Sequence, residues 1–150
     1  MLQYVYHCNP SRAVYKAGCQ QLSCNPSPAV LGPETPPNHI SGDELSTRIT
    51  QQLSRNCLHI SPPSNKKIKT VAWCSGGGQN YIELAAEQGI DAFISGEVSE
   101  QTTHFAREMD IHFYAAGHHA TERYGAKALA KHLEDELSIT SLFIDIDNPA

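Results

Sequence analysis

The 150-residue chain is short of positive charge and of long apolar runs, and each shortage removes a class of function. Eleven Lys and Arg stand against sixteen Asp and Glu, for a formal charge of −5. A protein that holds nucleic acid needs a basic face to displace the counterions around phosphates. Here the only basic cluster is Lys66-Lys67-Ile68-Lys69, which reads as a solvated approach to a strand; nucleic acid is therefore an unlikely partner. No stretch nears the roughly 18 apolar residues that a membrane span requires. The opening Met1–His7 is too short and too polar for a signal-peptide core, so a cytoplasmic location is expected. In that compartment the five cysteines (Cys8, Cys19, Cys24, Cys57, Cys74) stay reduced. Their odd number and irregular spacing fit no disulfide framework, and no C-x-x-C pair offers a thiolate zinc site. A dinucleotide G-x-G-x-x-G, a Walker lysine and an assignable Ser-His-Asp set are also missing.

What the chain does have begins near residue 40. Residues 1–40 form a proline- and cysteine-rich leader, since residues 1–39 hold six of the nine prolines and three of the five cysteines. Proline at that density prevents a sustained helix or ladder, leaving at most short strands at Tyr4–Tyr6 and Ala13–Tyr15. From 41 to 150 the signals agree on one α/β domain. Ser41-Gly42-Asp43-Glu44 reads as a capping box, opening a helix to about Arg55 with Leu45, Ile49 and Leu53 on one edge. After a Pro62-Pro63-Ser64-Asn65 turn, apolar strands alternate three times with helices. The predicted strands are Lys69–Cys74, Ala92–Ile94 and His112–Ala116. The predicted helices run from about Gln79 to Gln88, from Ser99 to Met109 with Thr102, Phe105, Ala106 and Met109 buried, and from Gly117 to Leu137. A last strand is expected over Ser141–Ile146. This rhythm predicts a doubly wound, mostly parallel sheet with helices on both faces.

In such a sheet the strand-to-helix loops emerge together beyond the strand C-termini, where ligands usually bind. Three loops thus converge: Cys74–Gly78, Ser95–Val98 and Gly117–Glu122. His118 and Glu122 are four residues apart, so they project from one helical face, which continues as Ala126, Leu129, Leu133 and Leu137 and is expected to pack on the sheet. A helix N-terminus disfavours an imidazolium and favours a carboxylate, the forms that bind metal. Imidazole plus carboxylate suits Zn²⁺, Fe²⁺, Mn²⁺ or Ni²⁺, although His119 with Glu122 shares a face as well, and two ligands do not close a site. The plain alternative is that paired histidines near a helix start only satisfy backbone groups. Gly76, Gly77 and Gly78 read either as a tight turn or as amides that hold an anionic substrate group. Cys74 beside them reads better as a small buried residue than as a reactive thiol. Glu97 reads either as a carboxylate at a helix N-terminus or as the partner that orients a ligating histidine. His104 and His112 read as packing or surface residues.

Three ordered segments, Val71–Gln79, Asp91–Glu100 and Ala116–Arg123, together with the closing Phe143–Ala150, resemble the GTP cyclohydrolase I type 2 homologue family, also called NIF-three-like proteins. The resemblance covers roughly residues 41–150, the family's C-terminal half, and the leader is unlike the rest of the family. It implies a site for two divalent metal ions in the intact protein, to which this half supplies His118 and Glu122. The remaining ligands, a histidine pair and an aspartate, belong to an N-terminal half whose pattern is not found in residues 1–39. It also implies toroidal homohexamers of two-domain subunits. The expected function is that of a metal-dependent, hydrolase-like protein acting on a small, nucleotide-derived substrate, with weak metal binding and little activity for this chain alone. The rival expectation is a non-catalytic metal-binding or interaction scaffold built as a ring.

Overall fold

Residues 29–30 and 39–149 are described by the structure, a computed structural model of the chain; the short strands expected at 4–6 and 13–15 lie outside them. Five strands, β1 (Ala29–Val30), β2 (Leu58–Ile60), β3 (Thr70–Cys74), β4 (Ala92–Ser95) and β5 (His112–Ala115), form one sheet in the order β1-β3-β4-β5-β2. The central β3-β4-β5 ladders are parallel, with Val71 beside Ala92 and Ala92 beside His112. The outer pairs, β1 with β3 and β2 with β5, are antiparallel. The sheet is therefore mixed, and the expected parallel character belongs to its three central strands. β2 went unforeseen because three residues carry too little alternation to announce a strand.

Helices α1 (Gly42–Leu53), α2 (Ile82–Glu87, preceded by a 3-10 turn at Gln79–Tyr81), α3 (Glu100–Glu108) and α4 (His118–Leu137) flank this sheet. Successive residues of each strand point to opposite faces, and so each face has its own core. Val71, Ala92, Ile94 and Tyr114 meet α1 and the first turn of α4 on one side. Ala72, Phe93 and Phe113 meet α2 and α3 on the other. α1 starts as expected, with Ser41 Oγ accepting the Glu44 amide at 3.2 Å, and buries Leu45, Ile49 and Leu53. Each such side chain contributes about 1.5–3 kcal/mol of burial free energy. α3 starts in the same way, Ser99 Oγ accepting the Thr102 amide. It buries Thr102 and Ala106, with Phe105 partly covered, whereas Met109 lies exposed past its end.

The N-terminus of α1 is fastened to β2 and β5 by a packed polar group. Tyr114 Oη donates to the Gly42 carbonyl at 2.9 Å. The rings of His59 and His112 lie stacked, with His59 Nε2 and His112 Nδ1 3.0 Å apart. His112 is thus a fully buried packing residue, while His104 is exposed on α3, 3.9 Å from Glu100.

Two expectations fail at the C-terminus. Beyond Thr121 no residue of α4 is buried, so the Ala126–Leu129–Leu133–Leu137 stripe does not pack on the sheet. Residues 141–146 join no ladder. Both carry a sound amphipathic pattern that finds no surface to cover among the described residues. No helix among these residues is long and apolar enough to cross a membrane.

Candidate metal centre

The three strand-to-helix loops meet as the topology requires, knitted by backbone bonds. The Gly96 amide donates to Gly76 O at 2.9 Å, and the Gly117 amide donates to Gly96 O at 3.0 Å. Thr121, buried at the start of α4, accepts the Gly76 amide at 3.0 Å on its hydroxyl. That hydroxyl in turn donates to Gly117 O or His118 O, both at 2.9 Å. Sequence reading missed this clasp; a threonine three residues into a helix that follows a glycine loop was its only signal.

This scaffold presents His118 between two carboxylates. Nδ1 lies 2.6 Å from Glu97 Oε1 and Nε2 lies 3.1 Å from Glu122 Oε2. His118 and Glu122 face each other one helical turn apart, as their spacing predicts. His119 is separated from them: its Nε2 points to Asp145 on the C-terminal segment, 3.5 Å away. Of the two sequence readings of Glu97, the geometry matches the one in which it holds the far nitrogen of the imidazole. Such a carboxylate fixes the tautomer and ring orientation of a metal-binding histidine.

The glycines explain how the loop comes this close. Gly76 has φ +65°, and a Cβ there would lie 2.3 Å from Glu122 Oε1 and 3.1 Å from His118 Nε2. At Gly78 a Cβ would meet Cys74 Sγ at 2.3 Å, and Cys74 itself packs partly buried against the α2–α3 core. The Gly76 and Gly78 amides are already donated, to Thr121 Oγ1 and to Gly76 O. Gly77 sits against the Glu97 carboxylate, 3.3 Å from where its Cβ would be.

Charge around the imidazole differs from the expectation for a helix start. The hydrogen bond to Glu97 raises the His118 pKa above its ordinary value; burial opposes this and the Glu122 carboxylate adds to it. The two carboxylates thus outweigh burial, and a metal ion would displace a proton from Nε2 in order to bind. An imidazole nitrogen and a carboxylate oxygen facing one another above a glycine fit a divalent ion chemically. They amount to part of a site, since no group of three or more His, Cys, Asp or Glu among the described residues is arranged to hold a metal.

Comparison with known proteins sets this partial site in context. The family model Duf34/NIF3 (NGG1p interacting factor 3) matches residues 34–149. A GTP cyclohydrolase 1 type 2 homolog of Vibrio cholerae is 60% identical over 111 residues, which are 73% of this chain and 44% of that protein. The protein of the same name in Yersinia pestis is 54% identical over 116 residues, 77% of this chain and 46% of its own. Among solved structures, protein ybgI, described as of unknown function, is 50% identical with a TM-score of 0.70; the match covers 76% of this chain and 46% of that one. A Bacillus cereus protein related to NIF3, 18% identical at a TM-score of 0.65, shares the fold. The chain spans less than half the length of the curated relatives it matches. With its three ordered loops and a match over residues 34–149, the chain belongs to the Duf34/NIF3 family.

Proposed function

We propose that this chain carries half of a divalent-metal site, in which His118 Nε2 and Glu122 are the ligands and Glu97 orients His118. The observation that supports the reading most is the triad itself: Glu97 at 2.6 Å on one imidazole nitrogen and Glu122 at 3.1 Å on the other. Gly76, which lacks a Cβ, lets the loop approach Glu122 and His118 Nε2 this closely. The whole protein, on this reading, is a hydrolase-like enzyme of the cytoplasm acting on a small, nucleotide-derived substrate, assembled as a homohexameric ring around a metal pair. The relatives' name supports this substrate class. Divalent metal, when bound, lowers the pKa of a coordinated water and polarises the substrate. Glu97 holds the imidazole in one tautomer and one orientation. Gly76, Gly77 and Gly78 bring the loop backbone to the same rim, where they and Glu97 are the proposed contacts for substrate. With two ligands among the described residues, metal binding is weak and turnover slight until the remaining ligands are supplied.

A second reading, a metal-binding scaffold without turnover, draws support from the long uncovered face of α4. Calorimetric titration of the full chain with Zn²⁺, Mn²⁺ and Ni²⁺, beside His118→Ala and Glu122→Ala, tests the ligand assignment. Saturable binding lost in both variants is the expected result, and binding indifferent to both would refute it. Hydrolysis of nucleotide substrates that Glu122→Ala abolishes without altering oligomeric state would favour the enzyme over the scaffold.

A further inference from the structure

Stacked rings from β2 and β5 lie beneath the first turn of α1, and two of them are imidazoles. The His59 ring stacks on Tyr114 with centroids 4.5 Å apart and on His112 with centroids 5.2 Å apart. His112 and Tyr114 are fully buried, and the His59 side chain is 11% exposed. A Cβ at Gly42 would lie 2.6 Å from the His59 ring and 2.7 Å from the His112 ring, so α1 begins directly against both.

Hydrogen bonding decides which ring nitrogens carry protons. His112 Nε2 lies 2.7 Å from the Lys66 carbonyl, which only accepts, so this nitrogen is the donor. In neutral His112 the other nitrogen, Nδ1, is then a bare acceptor, and it takes the His59 Nε2 proton across 3.0 Å. His59 Nδ1 is bare in turn and faces Asp43 Oδ1 of α1 at 3.5 Å. This relay takes one added proton without losing a bond, at His59 Nδ1, where Asp43 receives it. A second added proton has only His112 Nδ1 left, where it meets the His59 Nε2–H head on. Two adjacent imidazolium charges in a buried stack also repel each other.

The other groups that face the pair do not offset this conflict. Tyr114 and Cys57 keep their protons, because burial raises the phenol and pushes the Cys57 thiol up to about 12. Asp110 attracts a charge on His112 but is already engaged by the Ser64 amide and hydroxyl. The Lys66 ammonium lies 3.7 Å from Asp91. Burial first, and then the His112 charge, lower the His59 pKa, although Asp43 acts against them. The unfolded chain therefore binds more protons than the folded one below about pH 6.5. Stability that the pair contributes is present above that pH and is lost as pH falls.

We propose that His59 and His112 form an acid-released latch, which holds the first turn of α1 on β2 and β5 at neutral pH and frees it when both imidazoles become charged. The far end of α1 stays fastened, since Arg123 donates to the Leu53 carbonyl at 2.6 Å and Tyr124 to the Gln52 carbonyl at 3.1 Å. The helix thus opens at Gly42 and hinges near Leu53.

The test titrates the full chain from about pH 8 to about pH 5, beside His59→Gln, with NMR spectra and chemical denaturation at each pH. A glutamine amide turns either its nitrogen or its oxygen to His112 Nδ1, so it bonds to both charge states and removes the conflict. In the parent, the amide signals of residues 41–45 and 58–60 are expected to shift together below about pH 6.5, while those of 92–94 stay in place. The unfolding constant of the parent should rise relative to that of His59→Gln by about tenfold per pH unit for each proton excluded. The remaining histidines are common to both chains and cancel. If His59→Gln does not fold, the surface change Asp43→Asn carries the test: without the receiving carboxylate, opening moves to higher pH. A parent-to-variant ratio constant with pH, shifts spread evenly over the sheet, or opening of Asp43→Asn at the parent's pH would overturn the proposal.

Discussion

Gly76 and Gly89 provide an internally controlled experiment on the site. Both have positive φ, +65° and +71°, so alanine at either pays the same left-handed backbone penalty of about 1–2 kcal/mol. Their surroundings differ. A Cβ at Gly89 meets nothing within 4 Å, whereas one at Gly76 lies 2.3 Å from Glu122 Oε1 and 3.1 Å from His118 Nε2. Glu122 is the far end of a flexible side chain and can swing away, so the added steric cost in stability is small. The two variants are therefore predicted to melt at similar temperatures, each roughly 2–8 °C below the parent. They should part at His118. Loss of the Glu122 carboxylate removes one of the influences that raise the His118 pKa, leaving the stronger Glu97 bond. In the metal-free chain, an NMR titration of the imidazole should move downward for Gly76→Ala and stay unchanged for Gly89→Ala. An unchanged His118 titration in Gly76→Ala, or a shift of equal size in Gly89→Ala, would refute the assignment of Gly76 as the residue that makes room for Glu122.

Three further outcomes follow from particular contacts. Thr121→Val keeps the shape but leaves the Gly76 amide without its 3.0 Å acceptor, costing about 1–3 kcal/mol; chemical denaturation reads the loss, and hydrogen exchange should place it at Gly76. Gly42→Ala puts a methyl 2.6 Å from the His59 ring and 2.7 Å from the His112 ring, overpacking that costs about 1–3 kcal/mol; a melting point equal to the parent's would contradict the tight seating of α1. Asp91 ties β3 to β4, its Oδ2 accepting from the Lys69 and Thr70 amides and the Thr70 hydroxyl. Burial raises its pKa, but these bonds and the Lys66 charge together outweigh burial and lower it. A depressed carboxylate contributes stability that is present above its unfolded value and lost as pH falls through the folded one. The stability gap between parent and Asp91→Asn should therefore shrink as pH drops below about 4, and a gap constant with pH would count against this account.

Most of the domain was legible where a local pattern also had a local outlet. Ser41 announced the N-cap of α1 and Ser99 the start of α3, which it caps, and Leu45, Ile49 and Leu53 announced the face that α1 buries. The same reasoning failed for Leu129, Leu133 and Leu137 and for Leu142, Ile144 and Ile146, because periodicity tells which residues seek cover and not whether cover is present. At the site, the i, i+4 relation of His118 and Glu122 was readable. The choice of His118 over His119 by Glu97, and the closeness of Gly76 to Glu122, are contacts between loops that only the fold brings together. Thr121 belongs to the same class, since its role depends on an amide 45 positions away.

The most direct test of the central claim is a paramagnetic titration of the full chain with Mn²⁺ or Ni²⁺, followed by NMR at pH values on either side of the His118 titration. The expected result is weak, saturable broadening centred on His118, Glu122 and Gly76, stronger at the higher pH because Nε2 must shed its proton, and abolished by His118→Ala. Broadening centred elsewhere, or surviving that substitution, would contradict it.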